Sequence, residues 1–274
     1  MDNLVYHYTT LEALKGIIKD DICLWATRYD HLNDPHEQIW AKDVILNYSK
    51  QSPYKDSMPE ENIEQWFAKY SYILSLCEKA DYRNMWRLYC NDGKGVALGL
   101  DAEILSSVSK ENSFRDPQHS YDVFEKIKYS SKAEVDSAIK YWQEKGTFNR
   151  FPNEPFDELM NLSAFIKDED FDIEHEIRYA RIREISTIHV SPKDNESGSI
   201  KFKFRKDDTN VKYRVRGEIE IVPYIELHFP ANAIKSITIG YGYCYEDMEA
   251  FVRSILDGKG ELYKKVCIYP SLLQ

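Results

Sequence analysis

Three sets of side chains in this sequence are of types and spacings that could do chemistry. The first is Tyr6-His7-Tyr8-Thr9, an imidazole and hydroxyls at the end of an apolar strand that runs into a helix over Leu11 to Ile18. A histidine there, beside the free N–H groups of a helix start, suits an anionic or ribose-bearing ligand held by His7, Tyr8 and Thr9. The second is Glu174, Glu176 and Arg178, two residues apart and so on one face of a strand. Glu176 reads as a fixed carboxylate, Glu174 as an orienting group or base, and Arg178 as a partner for a carboxylate or a phosphate. A structural ion-pair ladder is the plainer reading of the three. The third set is Lys201, Lys203 and Arg205, then Lys212, Arg214 and Arg216, alternating on either side of Asp207 to Asn210. It predicts a β-hairpin at about 200–216 with one cationic face for a nucleic-acid backbone or another polyanion, or else a solvated edge hairpin.

The elements that must position these groups follow from pattern. Thr9 is the expected N-cap of the first helix, with Glu12 completing a capping box. Ile22 to Thr27 reads as a strand. Arg28 and Tyr29 directly after it could rim a pocket, Arg28 on a pyrophosphate, while Asn33-Asp34-Pro35 opens a helix. Tyr72 to Leu76 is a strand carrying Ser75, and a short helix then carries Met85, Trp86 and Tyr89. Ser75 and Trp86 suit the core or the support of a site better than catalysis. Asn91 to Gly95 is a turn, too short for a phosphate loop, ahead of the nearly all-apolar Val96 to Leu100, a central strand buried on both faces. Residues 101 to 167 read as a mainly helical insertion with a strand at Tyr121 to Tyr129. Strands follow at Glu174 to Arg183, Glu218 to Leu227, Ile234 to Ile239 and Val266 to Tyr269, with a helix at Tyr245 to Leu256. Short strands broken by helices without regular βα alternation indicate one α+β domain over 1–274.

Bulk composition narrows the classes. A net charge of −10 argues against non-specific coating of nucleic acid, which needs clustered cations. The five cysteines are widely spaced and form no CxxC pair, so we expect reduced thiols and no structural zinc. His31 and His36 with Asp30 and Asp34 fit no standard metal spacing, and no metal is expected. No apolar run reaches membrane-helix length and the N-terminus lacks a secretory signal, which predicts a cytoplasmic protein with no membrane partner.

In order along the chain, Tyr6 to Thr9, Asn33 to Pro35, Trp86 and Tyr89 ahead of Gly93 to Val96, and Glu176 with Arg178 resemble the hallmarks of the bacterial family known as domain of unknown function 2971 (DUF2971). More distantly, the strand-ending histidine, the Ile-rich helix, the aromatic middle and the late glutamate are similar to ADP-ribosyltransferases of the DarT-like and His-Tyr-Glu types. That resemblance implies a split mixed sheet and NAD as substrate. His7 would hold the ribose, one of Tyr72, Trp86 and Tyr89 would pack on nicotinamide, and Glu176 would stabilise the charge formed as nicotinamide leaves. The expected function is an intracellular NAD-dependent ADP-ribosyltransferase acting on a nucleic acid or protein, as a toxin or phage-defence effector with an antitoxin or defence partner. An NAD glycohydrolase, a phosphodiester-processing enzyme and a non-enzymatic nucleotide- or nucleic-acid-binding module are the alternatives.

Overall fold

The computed structural model describes residues 3–33, 71–115, 120–134, 136–137, 140, 164–183, 186–189, 200–203, 210–217 and 219–273. The expected helix start at Asp34-Pro35, His36, the Gln51 to Glu61 connection and Arg205 lie outside them. In chain order the elements are β1 (Leu4–Thr9), α1 (Leu11–Ile17), β2 (Ile22–Arg28), β3 (Ser71–Cys77), α2 (Arg83–Tyr89), β4 (Val96–Asp101), α3 (Ala102–Arg115), β5 (Ser120–Lys126), β6 (Lys128–Ser130), β7 (Ile166–Asp168), β8 (Glu176–Arg183), β9 (Ser186–His189), β10 (Ile200–Lys203), β11 (Lys212–Arg216), β12 (Glu220–Phe229), β13 (Ile234–Ile239), α4 (Tyr245–Asp257) and β14 (Cys267–Pro270). The class is α+β with a mixed sheet.

Ten strands form the main sheet. Its path is β11-β12-β2-β3-β1-β4-β13-β14, with β8 on the far edge of β3 and β5 beyond β8. All pairings are antiparallel except β13 with β14, which is parallel. β3 decides the shape. β8 runs along its whole length, from Ser71 opposite Ile182 to Cys77 opposite Glu176. On the other edge β2 pairs only at Tyr72 and Ile73, and β1 only at Cys77. The sheet therefore splits between β1 and β2, leaving one bank of β1, β4, β13 and β14 and another of β2, β12 and β11.

The sequence explains the layers. β4 alternates between two cores: Leu98 faces the main cluster with Leu14, Ile22, Leu24 and Val252, and Ala97 faces a second cluster with Tyr8, Cys77 and Trp86. A strand buried on both faces must be apolar at every position, as Val96 to Leu100 is. The turn before it, Asn91-Asp92-Gly93, is left-handed throughout, and a Cβ on Gly93 (φ +86°) would strike the Tyr241 ring at 2.7 Å. Asp122 joins α3, β5 and β8 by accepting from Asn112 at 2.8 Å, the Tyr179 hydroxyl at 2.7 Å and the Arg181 guanidinium at 2.7 and 2.8 Å.

Several expectations need correction. The N-cap of α1 is Thr10, whose hydroxyl accepts from the Ala13 N–H at 3.2 Å; Thr9 still belongs to β1, and Glu12 sits too early for a capping box. Glu174 ends a 3-10 turn over Glu169–Glu174, and left-handed His175 (φ 47°) separates it from β8. Within 101–167 the strand expected at Tyr121 to Tyr129 is present as β5 and β6, and β5 joins the main sheet. Among the described residues the two basic strands of the expected hairpin do not pair with each other. β10, carrying Lys201 and Lys203, pairs with β9, while β11, carrying Lys212, Arg214 and Arg216, pairs with β12. The turn that selects this pairing is at left-handed Gly217 (φ 63°), between Arg216 and its cross-strand partner Glu220.

Candidate functional site

The split in the sheet brings together groups from four strands. His7, near the end of β1, hydrogen-bonds the Ser75 backbone carbonyl, on the stretch of β3 between its pairings with β2 and β1. Its Nδ1 is buried and has no hydrogen-bond partner among the described residues, so Nε2 carries the donated proton. Burial pushes the His7 pKa down to about 4; the Ser75 carbonyl opposes this and the Arg214 charge adds to it. The ring is thus neutral at pH 7, with a lone pair on Nδ1.

Arg214 approaches from the opposite bank. Cross-strand registers put Arg214, Tyr224, Trp25 and Thr27 on one face of β11, β12 and β2. The Arg214 guanidinium lies 5.5 Å from the Trp25 ring centroid and 6.0 Å from that of Tyr224, while the two rings pack 4.4 Å apart. One terminal nitrogen donates to the Thr27 hydroxyl at 3.0 Å. The Nε–H is buried without a hydrogen-bond partner among the described residues. Trp25 remains 41% exposed on this platform.

On the far edge of β3 lies a buried charge cluster. Glu176 accepts from Arg178 Nε at 2.8 Å and from a terminal nitrogen of the same guanidinium at 3.1 Å, and its Oε2 also takes Lys167 Nζ at 3.1 Å. Lys167 reaches Glu174 at 2.7 Å, and Arg178 donates its remaining terminal nitrogen to the Ala164 carbonyl at 2.7 Å. Burial alone would raise the Glu176 pKa, but Arg178 and then Lys167 outweigh it and hold the carboxyl at about 2. Ser75 adds a hydroxyl hydrogen bond to Glu176. Ser75 is therefore the shared neighbour of His7 and Glu176, one through its carbonyl and the other through its hydroxyl. With both oxygens engaged, Glu176 is a permanent anion and a poor base.

Other expected site residues are committed elsewhere. The Tyr8 hydroxyl donates to the Lys79 carbonyl at 2.7 Å and accepts from the Tyr82 N–H at 3.0 Å. Trp86 is fully buried, with its indole N–H on Asp81 at 2.6 Å, and Tyr89 packs on the same cluster. Tyr72 and Tyr29 are core residues. The Thr9 carbonyl accepts from the Cys90 thiol at 3.3 Å. Arg28 is held bidentately by Asp30 at 2.6 and 2.8 Å, so its charge is spent before any pyrophosphate arrives. Lys212 pairs with Glu226 at 2.6 Å, and Arg216 pairs with Glu220 at 2.6 and 2.8 Å. Of the three β11 cations, only Arg214 lacks a carboxylate partner among the described residues. The stretch of aromatic and hydroxyl groups at alternating positions Trp25 and Thr27 was the signal for the platform, and Lys167 directly after the apolar run Ala164-Phe165-Ile166 was the signal for a buried cation.

The match to known families bears on part of this arrangement. Residues 85–179 match the model of DUF2971, proteins of unknown function. The DUF2971 match covers Trp86 and Tyr89, the Gly93 to Val96 strand start and the Glu176 and Arg178 pair; it stops short of His7 on one side and Arg214 on the other. No curated protein and no solved structure matches the chain. No helix among the described residues is long and apolar enough to cross a membrane.

Proposed function

We propose that the protein binds NAD across the split between β1 and β2 and transfers its ADP-ribosyl group to a nucleic-acid or protein acceptor. One observation carries this reading: the two banks each offer a buried polar atom with no partner among the described residues, and the two have opposite polarity. His7 Nδ1 can only accept, which matches a ribose hydroxyl. Arg214 Nε–H can only donate, which matches a phosphate oxygen. Buried polar groups are normally satisfied, so each orphan favours a ligand that supplies the missing partner. Trp25 and Tyr224, packed 4.4 Å apart at 32° to one another, add an aromatic surface for a base.

In the transfer, the bond between the ribose carbon and the nicotinamide nitrogen breaks, and its electron pair leaves with neutral nicotinamide. An acceptor oxygen or nitrogen bonds to that carbon and loses its proton. Positive charge passes through the ribose on the way, and groups fixed before the step stabilise it without reorganising. Glu176 acts through Ser75, whose carbonyl orients His7. Glu174, with 16% of its side chain accessible against 5% for Glu176, is the carboxylate assigned to the acceptor proton. Such chemistry fits a cytoplasmic toxin or phage-defence effector restrained by a partner protein.

The test is incubation of the full chain with NAD labelled in its adenylate half, with nucleic acid and protein acceptors present. Label should appear on a macromolecule. Arg214→Ala should weaken NAD binding roughly tenfold to a hundredfold, the value of a hydrogen bond to a charged group, and His7→Ala should abolish transfer. Free labelled ADP-ribose without transfer would make the protein a glycohydrolase, and saturable binding without turnover would make it a binding module. Absence of NAD binding would sink all three versions.

A further inference from the structure

A second cluster lies on the same face of β2 and β12, at the end away from the split. Cys23 pairs directly with His228 across the two strands, and Glu226 is two residues before His228, so all three side chains share that face. The Cys23 thiol, a Glu226 oxygen and a His228 ring nitrogen lie within 4.8 Å of one another. Tetrahedral zinc, with bonds of about 2.0–2.3 Å to these ligand types, needs donors roughly 3.3–3.8 Å apart, so small side-chain rotations close the set. His228 Nε2 already stands 3.8 Å from Glu226 Oε2. The other ring nitrogen, Nδ1, is 2.6 Å from Asp21 Oδ2. A carboxylate on the far nitrogen of a histidine is the arrangement that fixes the ring for metal ligation. Thr27, at the split, is four residues from Cys23 along β2, roughly 13 Å at strand rise.

We infer that Cys23, Glu226 and His228 form a zinc site with an open fourth position for water, with Asp21 orienting His228. Thiolate, imidazole and carboxylate together select zinc over magnesium or calcium, which prefer oxygen alone. Cys23 is buried on the sheet while His228 is half exposed, so the ion has a path from solvent. Without metal, lysines stand in for the cation: Lys212 Nζ is 2.6 Å from Glu226, and Lys19 hydrogen-bonds Cys23. That occupancy makes a distinctive demand. Metal must displace Lys212, so removing Lys212 should tighten binding, whereas a merely structural ion-pair cluster would show no metal affinity to tighten.

Cobalt titration of the full reduced chain tests this, read by the thiolate-to-cobalt charge-transfer absorption and by competition with zinc. One ion per chain should bind. Cys23→Ser should remove the charge-transfer band, while Cys244→Ser and Cys267→Ser, at the exposed cysteines, should keep it. His228→Ala, at an exposed position, should weaken binding at least tenfold, and Asp21→Asn should weaken it about tenfold to a hundredfold. Lys212→Met should strengthen it. A band absent from the parent protein, or one that survives both Cys23→Ser and His228→Ala, would overturn the site. The outcome is independent of NAD binding, because cobalt binding is read with no nucleotide present and none of the varied residues is His7 or Arg214.

Discussion

His7 is neutral because its ring is taken out of water beside a cation. That state has a measurable consequence. Its folded pKa of about 4 lies below the ordinary 6.5 of an unfolded histidine, so between these values the unfolded chain binds the extra proton. Stability should therefore fall as pH drops from about 6.5 to about 4, by up to about 1.4 kcal/mol per pH unit, and be unaffected by this group above 6.5. Urea titrations across that range should show the slope in the parent and a flatter profile in His7→Gln. Equal slopes would mean that the imidazole is solvated. Glu176 behaves in the same direction over a lower window: held at about 2 against 4.5, it withdraws its support only as pH falls through that interval. The two residues differ in kind. Glu176 has every oxygen occupied, so it builds and orients, whereas His7 and Arg214 each keep an unmet hydrogen-bonding atom. Breaking the Glu176 cluster on one side would strand a buried charge, which explains why two cations and two carboxylates occur there together.

At the scale of elements, the caps and partners of short segments carry more weight than propensity. α1 spans only Leu11–Ile17, too short to persist without its cap and its buried Leu14 and Ile17. Thr10→Ala should cost about 1 kcal/mol because the Ala13 N–H loses its acceptor, and Thr9→Ala should cost less. Thermal unfolding of the two variants distinguishes which threonine is the cap. The β-strands were legible because alternation or unbroken apolarity is a local property: β3, β4, β13 and β14 lie within a residue or so of where the pattern puts them. Their partners were not. Lys201 to Lys203 and Lys212 to Arg216 both alternate, and alternation says nothing about which strand will lie alongside. β12 is long enough to take β11 along Glu220 to Tyr224 and β2 along Tyr224 to Phe229, and Gly217 supplies the turn that brings β11 back onto it. The cationic face was lost for the same reason, since β12 delivers Glu220 and Glu226 to Arg216 and Lys212.

The whole molecule is tied end to end by contacts that span most of its length. Asp81 accepts the buried Trp86 indole N–H at 2.6 Å, the Ser271 hydroxyl at 2.7 Å and the Leu272 N–H at 2.6 Å, fastening the segment after β14 to the helix under β1. Asp81→Ala should destabilise the protein by about 1–3 kcal/mol, because it leaves the indole donor unsatisfied in the core, and Asp81→Asn should cost less since an amide oxygen can still accept. Denaturant unfolding with an unchanged m value would check this; a neutral Asp81→Ala would show that the C-terminal segment is not docked through this residue. The split has the same long-range origin. It exists because β2 and β1 claim different ends of one edge of β3, and it gathers His7, Ser75, Thr27 and Arg214 from segments that are remote in the chain.

What the sequence determined by itself was the class of fold, most strand and helix positions, and the chemical types present at His7, Glu174, Glu176, Arg178 and Arg214, because periodicity and side-chain identity are properties of neighbouring residues. Which of those groups are satisfied and which are not depends on the folded arrangement. Arg28, Lys212 and Arg216 read as free cations and are neutralised by carboxylates, Tyr8 reads as ligand-facing and is closed by Lys79 and Tyr82, and Cys23 reads as an isolated thiol but meets Glu226 and His228. Satisfaction depends on distance in space, and in this chain the partners that settle it arrive across strand pairings about 200 residues apart, as between Cys23 and His228.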